Sequence, residues 1–151
     1  CELVRGPRSA VKPFVARTAY QGSGALRRFG VLVVDDQPDM LALIVRALED
    51  DQYQVRQASS GAEALRMIDE SLPDLLVLDY KMSGMDGMAV MKVLRGRHET
   101  RDLPVLMLTA MNDEPSTRAG FDAGVSDYVT KPFSIPQLTA RVRACLARTT
   151  R

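Results

Sequence analysis

Several short apolar runs in this sequence stop at a polar or charged side chain. The side chains that follow them are Asp35 and Asp36, Asp79, Thr109 and Lys131. Carboxylates, a hydroxyl and an ammonium can together bind a cation and act on a phosphoryl group, provided that the fold brings them together. Such a site therefore requires secondary-structure elements that place these side chains together.

Each of these residues, taken alone, has an ordinary structural explanation. The pair Asp35-Asp36 is more often a helix cap than a metal site, and we expect Asp36 to cap a helix that begins near Pro38. Asp79 could be an ordinary loop carboxylate. Thr109 could simply end a strand, and Lys131 before a proline could open a turn. Only a common location would favour a chemical role.

The predicted elements alternate between strand and helix. The strands are short, apolar and β-branched, whereas the helices show apolar residues at helical spacing. Asp86 is expected to cap the third helix, and Ser60 and Ser134 open capping boxes with Glu63 and Gln137. The predicted strands cover 30–34, 53–58, 75–78, 105–108 and 127–130, and the helices begin near residues 38, 60, 86, 114 and 134.

Strict alternation predicts an α/β fold: a five-stranded, doubly wound parallel sheet covered by helices on both sides. Parallel strands end on one edge of the sheet, and ligands bind beyond that edge. The side chains that follow the strands should therefore share one site. Its predicted members are three carboxylates, one hydroxyl and one ammonium.

Three carboxylates in one site repel one another and raise each other's pKa unless a cation joins them. Mg²⁺ is the natural choice, because it takes few carboxylates and keeps positions for phosphate oxygens. One of the carboxylates could then act as a nucleophile toward phosphorus, giving an acyl phosphate. Lys131 would pair with one phosphoryl oxygen, and the Thr109 hydroxyl would donate to another.

From about Phe29 to Arg148 the chain resembles a known family, the receiver domains of bacterial two-component response regulators. Several separate motifs carry the resemblance, in one order along the chain. They are Val-Val-Asp-Asp at 33–36, Leu-Leu-Val-Leu-Asp-Tyr-Lys-Met at 75–82, Met-Asp-Gly at 85–87, Leu-Thr-Ala at 108–110 and Asp-Tyr-Val-Thr-Lys-Pro-Phe at 127–133.

The resemblance implies a flavodoxin-like (βα)5 fold with strand order 2-1-3-4-5. It implies that Asp79 accepts a phosphoryl group from a phosphohistidine on a sensor histidine kinase or phosphotransfer protein. Mg²⁺ would be held by Asp79, by Asp36 directly, by Asp35 mainly through water and by the backbone carbonyl of Lys81. Lys131 would hold the phosphoryl group.

The resemblance also implies how the signal is read out. Thr109 and Tyr128 would form the switch pair, and the peptide bond before Pro132 would be cis. The output surface would comprise the fourth helix, the fifth strand and the last helix, and would serve an output domain or a homodimer. Such a module is a signalling phosphoacceptor that assists its own phosphorylation and dephosphorylation, not an enzyme acting on metabolites. Nucleic acid would be bound only through an output domain.

The sequence departs from the family pattern in a few places. Ser83 stands where the family often has proline, which predicts a looser loop after Asp79. Lys81 and Met111 occupy positions that in the family modulate loss of the phosphoryl group to water.

Other functions remain open alternatives. An aspartyl-phosphate phosphohydrolase acting on small phosphoesters is the main one, although such enzymes place a second Asp where this chain has Lys81, and no substrate-capping insertion is visible. Nucleotide hydrolysis would need a Gly-rich loop with Lys-Ser/Thr, which is missing from the sequence. A degenerate receiver that binds partners without phosphorylation fits poorly with the full acidic set.

Composition and charge complete the expectations. The 151 residues suffice for one domain, expected at 29–148, with a basic extension or linker at 1–28 and a tail at 149–151. Residues 1–28 hold 6 basic residues against 1 acidic residue, whereas residues 29–140 hold 10 against 18. Two distant cysteines and no apolar run of bilayer length favour a reducing, cytoplasmic setting. The start at Cys1 is interpreted as the boundary of a fragment without a secretory signal.

Overall fold

A parallel five-stranded sheet forms the centre of the computed structural model, which describes residues 12–13, 28–110 and 124–149. The strand order is β2-β1-β3-β4-β5, which confirms the predicted 2-1-3-4-5 topology. The strands are β1 (Gly30–Val34), β2 (Gln54–Ala58), β3 (Leu75–Asp79), β4 (Val105–Ala110) and β5 (Asp127–Lys131). Thr109 and Lys131, predicted to follow their strands, are the last-but-one residue of β4 and the last residue of β5.

The helices cover both faces of this sheet. They are α1 (Pro38–Asp50), α2 (Gly61–Glu70), α3 (Gly87–Arg95) and the last helix (Ile135–Thr149). The helices α2 and α3 pack on one face, and α1 and the last helix pack on the other. The predicted helix at 114–123 lies outside the described residues.

Alternating side chains of the central strands supply both halves of the core. In β1, Leu32 and Val34 face α2 and α3, whereas Val31 and Val33 face α1 and the last helix. Every residue of β1 and β3 is buried, as expected for strands covered on two sides. The edge strand β2 is mostly half-buried, which explains its mixed composition.

Most predicted caps are present. The Asp86 side chain accepts a hydrogen bond from the Ala89 backbone N–H (2.9 Å) and caps α3. The Ser60 hydroxyl accepts from the Glu63 N–H (3.1 Å), but the Glu63 carboxylate bonds the Ser59 N–H rather than that of Ser60. The box is therefore closed one residue earlier than the sequence pattern predicts.

The predicted Asp36 cap is wrong. Helix α1 is capped by Gln37, without a side-chain cap bond, and Pro38 occupies the first turn. The Asp36 carboxylate instead accepts a hydrogen bond from the backbone N–H of Ser83 (3.0 Å). Asp36 therefore binds the loop after β3 and does not cap α1.

A second, two-stranded sheet lies outside the main one. Lys12–Pro13 pairs in parallel with Ser71–Leu72, which directly follows α2. Nothing in the sequence of either segment predicts this pairing. Within the described ranges, none of the helices combines the length and hydrophobicity that a membrane crossing requires.

The Arg95 side chain ties together the amino ends of β4 and β5. Its guanidinium donates to the backbone carbonyls of Thr100 (3.0 Å), Leu103 (2.7 Å) and Gly124 (2.8 Å). Burial lowers the pKa of Arg95, opposed by the charge of Asp102. The Thr100 carbonyl also accepts from the Leu103 N–H (3.1 Å), so loss of the guanidinium would remove the donor to the Leu103 and Gly124 carbonyls and one of two donors to Thr100.

Replacing Arg95 by methionine should therefore lower the free energy of unfolding by about 2–4 kcal/mol, as measured by urea denaturation. The matched control is Arg97→Met, because Arg97 makes a surface ion pair with Asp69 (2.6 Å) and should cost at most about 1 kcal/mol. Equal losses in the two variants would contradict the structural role assigned to Arg95.

Candidate functional site

The carboxyl edge of the sheet gathers the predicted polar side chains. Strand β1 aligns with β3 so that Val34 pairs with Leu78, and the next residues, Asp35 and Asp79, are therefore level with each other. Both are almost fully buried, with exposures of 0% and 3%. The two carboxylates are buried together because neighbouring parallel strands end side by side.

Lys131 reaches this pair from two strands away. Strand β4 lies between β3 and β5, so the Lys131 side chain must cross one intervening strand, a distance that its four-carbon stem can span. Its Nζ lies 2.9 Å from Asp79 Oδ1 and 3.7 Å from Asp35 Oδ2. The ammonium therefore bonds Asp79 and lies within ion-pair distance of Asp35.

Asp36 completes a cluster of three carboxylates. One oxygen from each of Asp35, Asp36 and Asp79 lies within 4.8 Å of the other two. Asp36 is half-buried, and its bond to the Ser83 N–H joins the loop after β3 to the cluster. The Asp35 Oδ1 atom accepts from the Gln37 N–H (2.9 Å), which fixes the orientation of that carboxylate.

The cluster has the chemistry of a cation site. The Asp35 Oδ2 atom is buried and has no hydrogen-bond partner among the described residues. An unsatisfied buried carboxylate oxygen is costly, and a cation would compensate for it. Oxygen donors at this spacing suit a small, hard divalent cation better than a soft metal.

Burial raises the pKa of the Asp79 carboxyl to about 6. The charges of Asp35 and Asp36 act in the same direction, whereas the hydrogen bond and positive charge of Lys131 oppose them. The shift shows that burial and the neighbouring negative charges outweigh the single ammonium. A further positive charge at the cluster would favour the ionised form of Asp79.

The remaining predicted site residues lie around this cluster. Thr109 is buried at 2% exposure, one position beyond Leu108, the β4 partner of Asp79. Tyr128 is half-buried on β5, pairs with Met107 and packs against the core beneath α2 and α3. Since paired residues of parallel strands share a face, Thr109, Met107 and Tyr128 lie on one side of the sheet.

Two further predicted residues lie in the loops at the same edge. Lys81 is exposed in the loop between β3 and α3. The peptide bond between Lys131 and Pro132 is cis. Pro132 directly follows Lys131, the last residue of β5, and Lys81 lies two residues after Asp79, the last residue of β3.

Gly87 has a packing role that the sequence pattern alone did not reveal. A Cβ at this position would lie 2.9 Å from the Asp79 carbonyl oxygen and 3.0 Å from the Tyr80 Cα. The Gly87 N–H also donates to the Tyr80 carbonyl (2.8 Å). Helix α3 therefore begins in direct contact with the backbone of the central carboxylate, which explains the glycine in the Met-Asp-Gly motif.

The Ser83 contact was also missed. It uses a main-chain N–H, which every residue except proline carries, so no side-chain pattern could have indicated it. The only sequence signal was the absence of proline at this position. A proline there would have no N–H to donate to Asp36.

The raised pKa of Asp79 has a consequence for stability. The folded-state pKa, about 6, lies above the unfolded value of 3.8. The folded chain therefore retains a proton that the unfolded chain has lost, and the stability from this group is lost as pH rises through about 6. Without divalent cations, the free energy of unfolding of Asp79→Asn should therefore rise relative to that of the original chain as pH increases. The difference between the two proteins should grow by about 2 kcal/mol from about pH 4.5 to about pH 8.

Urea denaturation of both proteins in the presence of a chelator measures this difference. Asp39→Asn serves as the control, because Asp39 is exposed at the start of α1 and lies outside the carboxylate cluster. A constant difference between Asp79→Asn and the original chain across this range would contradict the raised pKa.

Known proteins share both the sequence and the fold. A family model described as the response regulator receiver domain matches residues 31–143. The response regulator MprA of Mycobacterium tuberculosis is 45% identical over 119 residues, which are 79% of this chain and 51% of that protein. The DNA-binding dual master transcriptional regulator RpaA of Synechocystis is 41% identical over 121 residues, 80% of this chain and 50% of that protein.

The solved structures agree with the sequence relatives. A putative response regulator from Chloroflexus aurantiacus superposes with a TM-score of 0.77 at 41% identity, covering 81% of this chain and 100% of that one. The chemotaxis protein CheY4 of Vibrio cholerae gives a TM-score of 0.74 at 27% identity, over 78% of this chain and 98% of that one. This chain spans about half the length of the curated relatives it matches. From its motifs, its topology and these matches, the chain belongs to the receiver domain family of two-component response regulators.

Proposed function

We propose that this receiver domain is phosphorylated on Asp79 in a Mg²⁺-dependent reaction and signals through a conformational switch. The observation that carries the proposal is the hydrogen bond of 2.9 Å between Lys131 Nζ and Asp79 Oδ1, beside two further carboxylates. The Asp79 carboxylate, which can act as a nucleophile, lies beside the Lys131 ammonium, which can bind the transferred group. One oxygen from each of the three carboxylates lies within 4.8 Å of the other two, and together they could hold a cation. These are the parts that phosphoryl transfer to a carboxylate requires.

The reaction starts from a phosphohistidine on a partner histidine kinase or phosphotransfer protein. A carboxylate oxygen of Asp79 attacks the phosphorus, an O–P bond forms, and the P–N bond to the imidazole breaks. The electron pair of that bond leaves with the imidazole, which takes up a proton. The product is an acyl phosphate on Asp79 and a free histidine on the partner.

The neighbouring side chains stabilise the transferred group. Lys131 keeps its ammonium at Asp79 and can follow the phosphoryl oxygen that replaces the present contact. The Thr109 hydroxyl, one residue along β4, donates to another phosphoryl oxygen. Asp35, Asp36, Asp79 and the Lys81 carbonyl would hold Mg²⁺, with Asp35 acting mainly through water. When bound, this ion supplies positive charge that offsets the carboxylates and the incoming phosphate.

The signal would pass through Thr109 and Tyr128. They lie on one face of adjacent strands, so movement of the threonine toward the phosphoryl group frees space on the side where the tyrosine ring packs. Phosphorylation then shifts an existing equilibrium between two arrangements. The readout surface would comprise β5, the last helix and the predicted helix at 114–123. It would bind an output domain or a second copy of the domain. The module would act in the cytoplasm.

The module is proposed as a phosphoacceptor that assists its own phosphorylation and dephosphorylation. The comparisons give no support to the alternative, a phosphohydrolase of small phosphoesters, because the relatives reported above carry the names of regulators. Lys81 also stands where such an enzyme would place its second carboxylate.

Incubation with Mg²⁺ and acetyl phosphate should add one phosphoryl group, detected as an increase in intact mass. Asp79→Asn should abolish the adduct, because the amide is not a nucleophile of this kind. Lys131→Met should slow its formation about 10- to 1000-fold, because a charge that stabilises the transferred group is lost. Lys92→Met, an exposed lysine on α3, is the matched control and should react normally.

Two results would contradict the proposal. One is the absence of an adduct with every small phosphodonor, while the folded protein still binds Mg²⁺. The other is an adduct that persists in Asp79→Asn. Rapid hydrolysis of many phosphoesters would favour the phosphohydrolase instead.

Mg²⁺ binding should itself be measurable as an increase in stability. At a concentration 100 times the dissociation constant, Mg²⁺ should raise the free energy of unfolding by about 2.7 kcal/mol. Asp36→Asn should remove most of this gain, because it removes a ligand charge. Asp39→Asn changes an exposed carboxylate three residues away and should retain it. Equal gains in both variants would contradict the assigned ligand set.

A further inference from the structure

Ser71–Leu72 presents a short strand edge that is separate from the main sheet. Ser71 ends α2 in an extended conformation, with φ −159° and ψ 120°. The Arg56 guanidinium donates to the Ser71 carbonyl (2.6 Å), and the Ser71 N–H donates to the Met67 carbonyl. Leu72 packs against the core beneath α2 and α3. The segment is therefore held extended by contacts with its own domain.

The partner of this edge comes from the N-terminal extension. Lys12 aligns with Ser71 and Pro13 aligns with Leu72, in parallel. Adding one extended segment to an exposed strand is a common way in which proteins bind peptides. In the described part of the chain, no other strand pairs with Ser71–Leu72.

Charge favours the same partner. Helix α2 ends with Asp69 and Glu70, both exposed, and has no basic residue in its last turn. Carboxylates at the negative end of a helix dipole are unfavourable unless cations lie nearby. Arg97 pairs with Asp69 (2.6 Å), whereas Glu70 makes no ion pair with any described residue. The extension, with 6 basic residues and 1 acidic residue in 28, carries the complementary charge.

We propose that Ser71–Leu72 and the acidic end of α2 form a docking edge for the basic N-terminal extension, which binds in cis through Lys12–Pro13. Strand pairing supplies the alignment, and charge attraction draws the basic segment to the acidic helix end. The edge lies before the amino end of β3, whereas Asp79 is the last residue of that strand. The docking edge and the carboxylate cluster are therefore on opposite edges of the sheet, so pairing at Ser71–Leu72 does not cover Asp79.

Paired cysteines test the docking. Aligned Cα atoms of neighbouring strands lie about 4.8 Å apart, within the range that a disulfide spans. Lys12→Cys with Ser71→Cys, in a Cys1→Ser background, should form an intramolecular disulfide under mild oxidation. Lys12→Cys with Ser59→Cys is the matched control, because Ser59 is exposed just beyond the carboxyl end of β2. The first pair should react at least about tenfold faster, judged by mass and non-reducing mobility.

Charge dependence is tested in the same assay. The rate should fall several-fold between about 0.02 M and about 0.5 M salt, because screening shortens the range of the attraction. Glu70→Gln should slow the reaction at low salt, whereas Glu99→Gln, an exposed glutamate after α3, should not. Equal rates for the two cysteine pairs would overturn the docking, and disulfide-linked dimers would assign the edge to a second copy. A rate independent of both salt and Glu70 would overturn the role of charge.

Discussion

Repulsion among three clustered carboxylates, two of them buried, is the constraint on which the carboxyl edge of this sheet depends. Asp35 and Asp79 are level with each other on adjacent strands and almost wholly removed from solvent, with Asp36 beside them. The single ammonium of Lys131 is outweighed, as the raised pKa of Asp79 shows. An added positive charge would stabilise this cluster, so cation binding is coupled to the ionisation of Asp79.

The surrounding fold keeps these charges in place through contacts made largely by the backbone. The Ser83 N–H bonds Asp36, the Gln37 N–H bonds Asp35, and Gly87 lies against the carbonyl of Asp79. Backbone groups move little when side chains change, so the geometry of the carboxylates depends on strand and loop positions rather than on a chain of flexible side chains. In the phosphorylation proposed above, the long side chain of Lys131 would follow the transferred group.

Much of this arrangement could be predicted from the sequence because it follows from periodicity and topology. The apolar runs before Asp35, Asp79 and Thr109 indicate buried parallel strands, and parallel strands bring their ends together. Contacts made by main-chain groups left no such signal. The sequence therefore assigned Asp36 to a helix cap, whereas the Ser83 N–H binds it. The pairing of Lys12–Pro13 with Ser71–Leu72 was also missed, because two-residue strands have no detectable period.

The alignment of Val34 with Leu78 has a consequence for how the chain must fold. Side chains alternate between the faces of a sheet, so a slip of one residue between these two strands would send either Asp35 or Asp79 to the opposite face. A misregistered chain could still bury many of its valines and leucines, since both faces are apolar, but it would separate the two acids. The carboxylate cluster therefore forms only when these two strands pair in the correct register. Selection for the proposed phosphorylation would also select against the misfolded register.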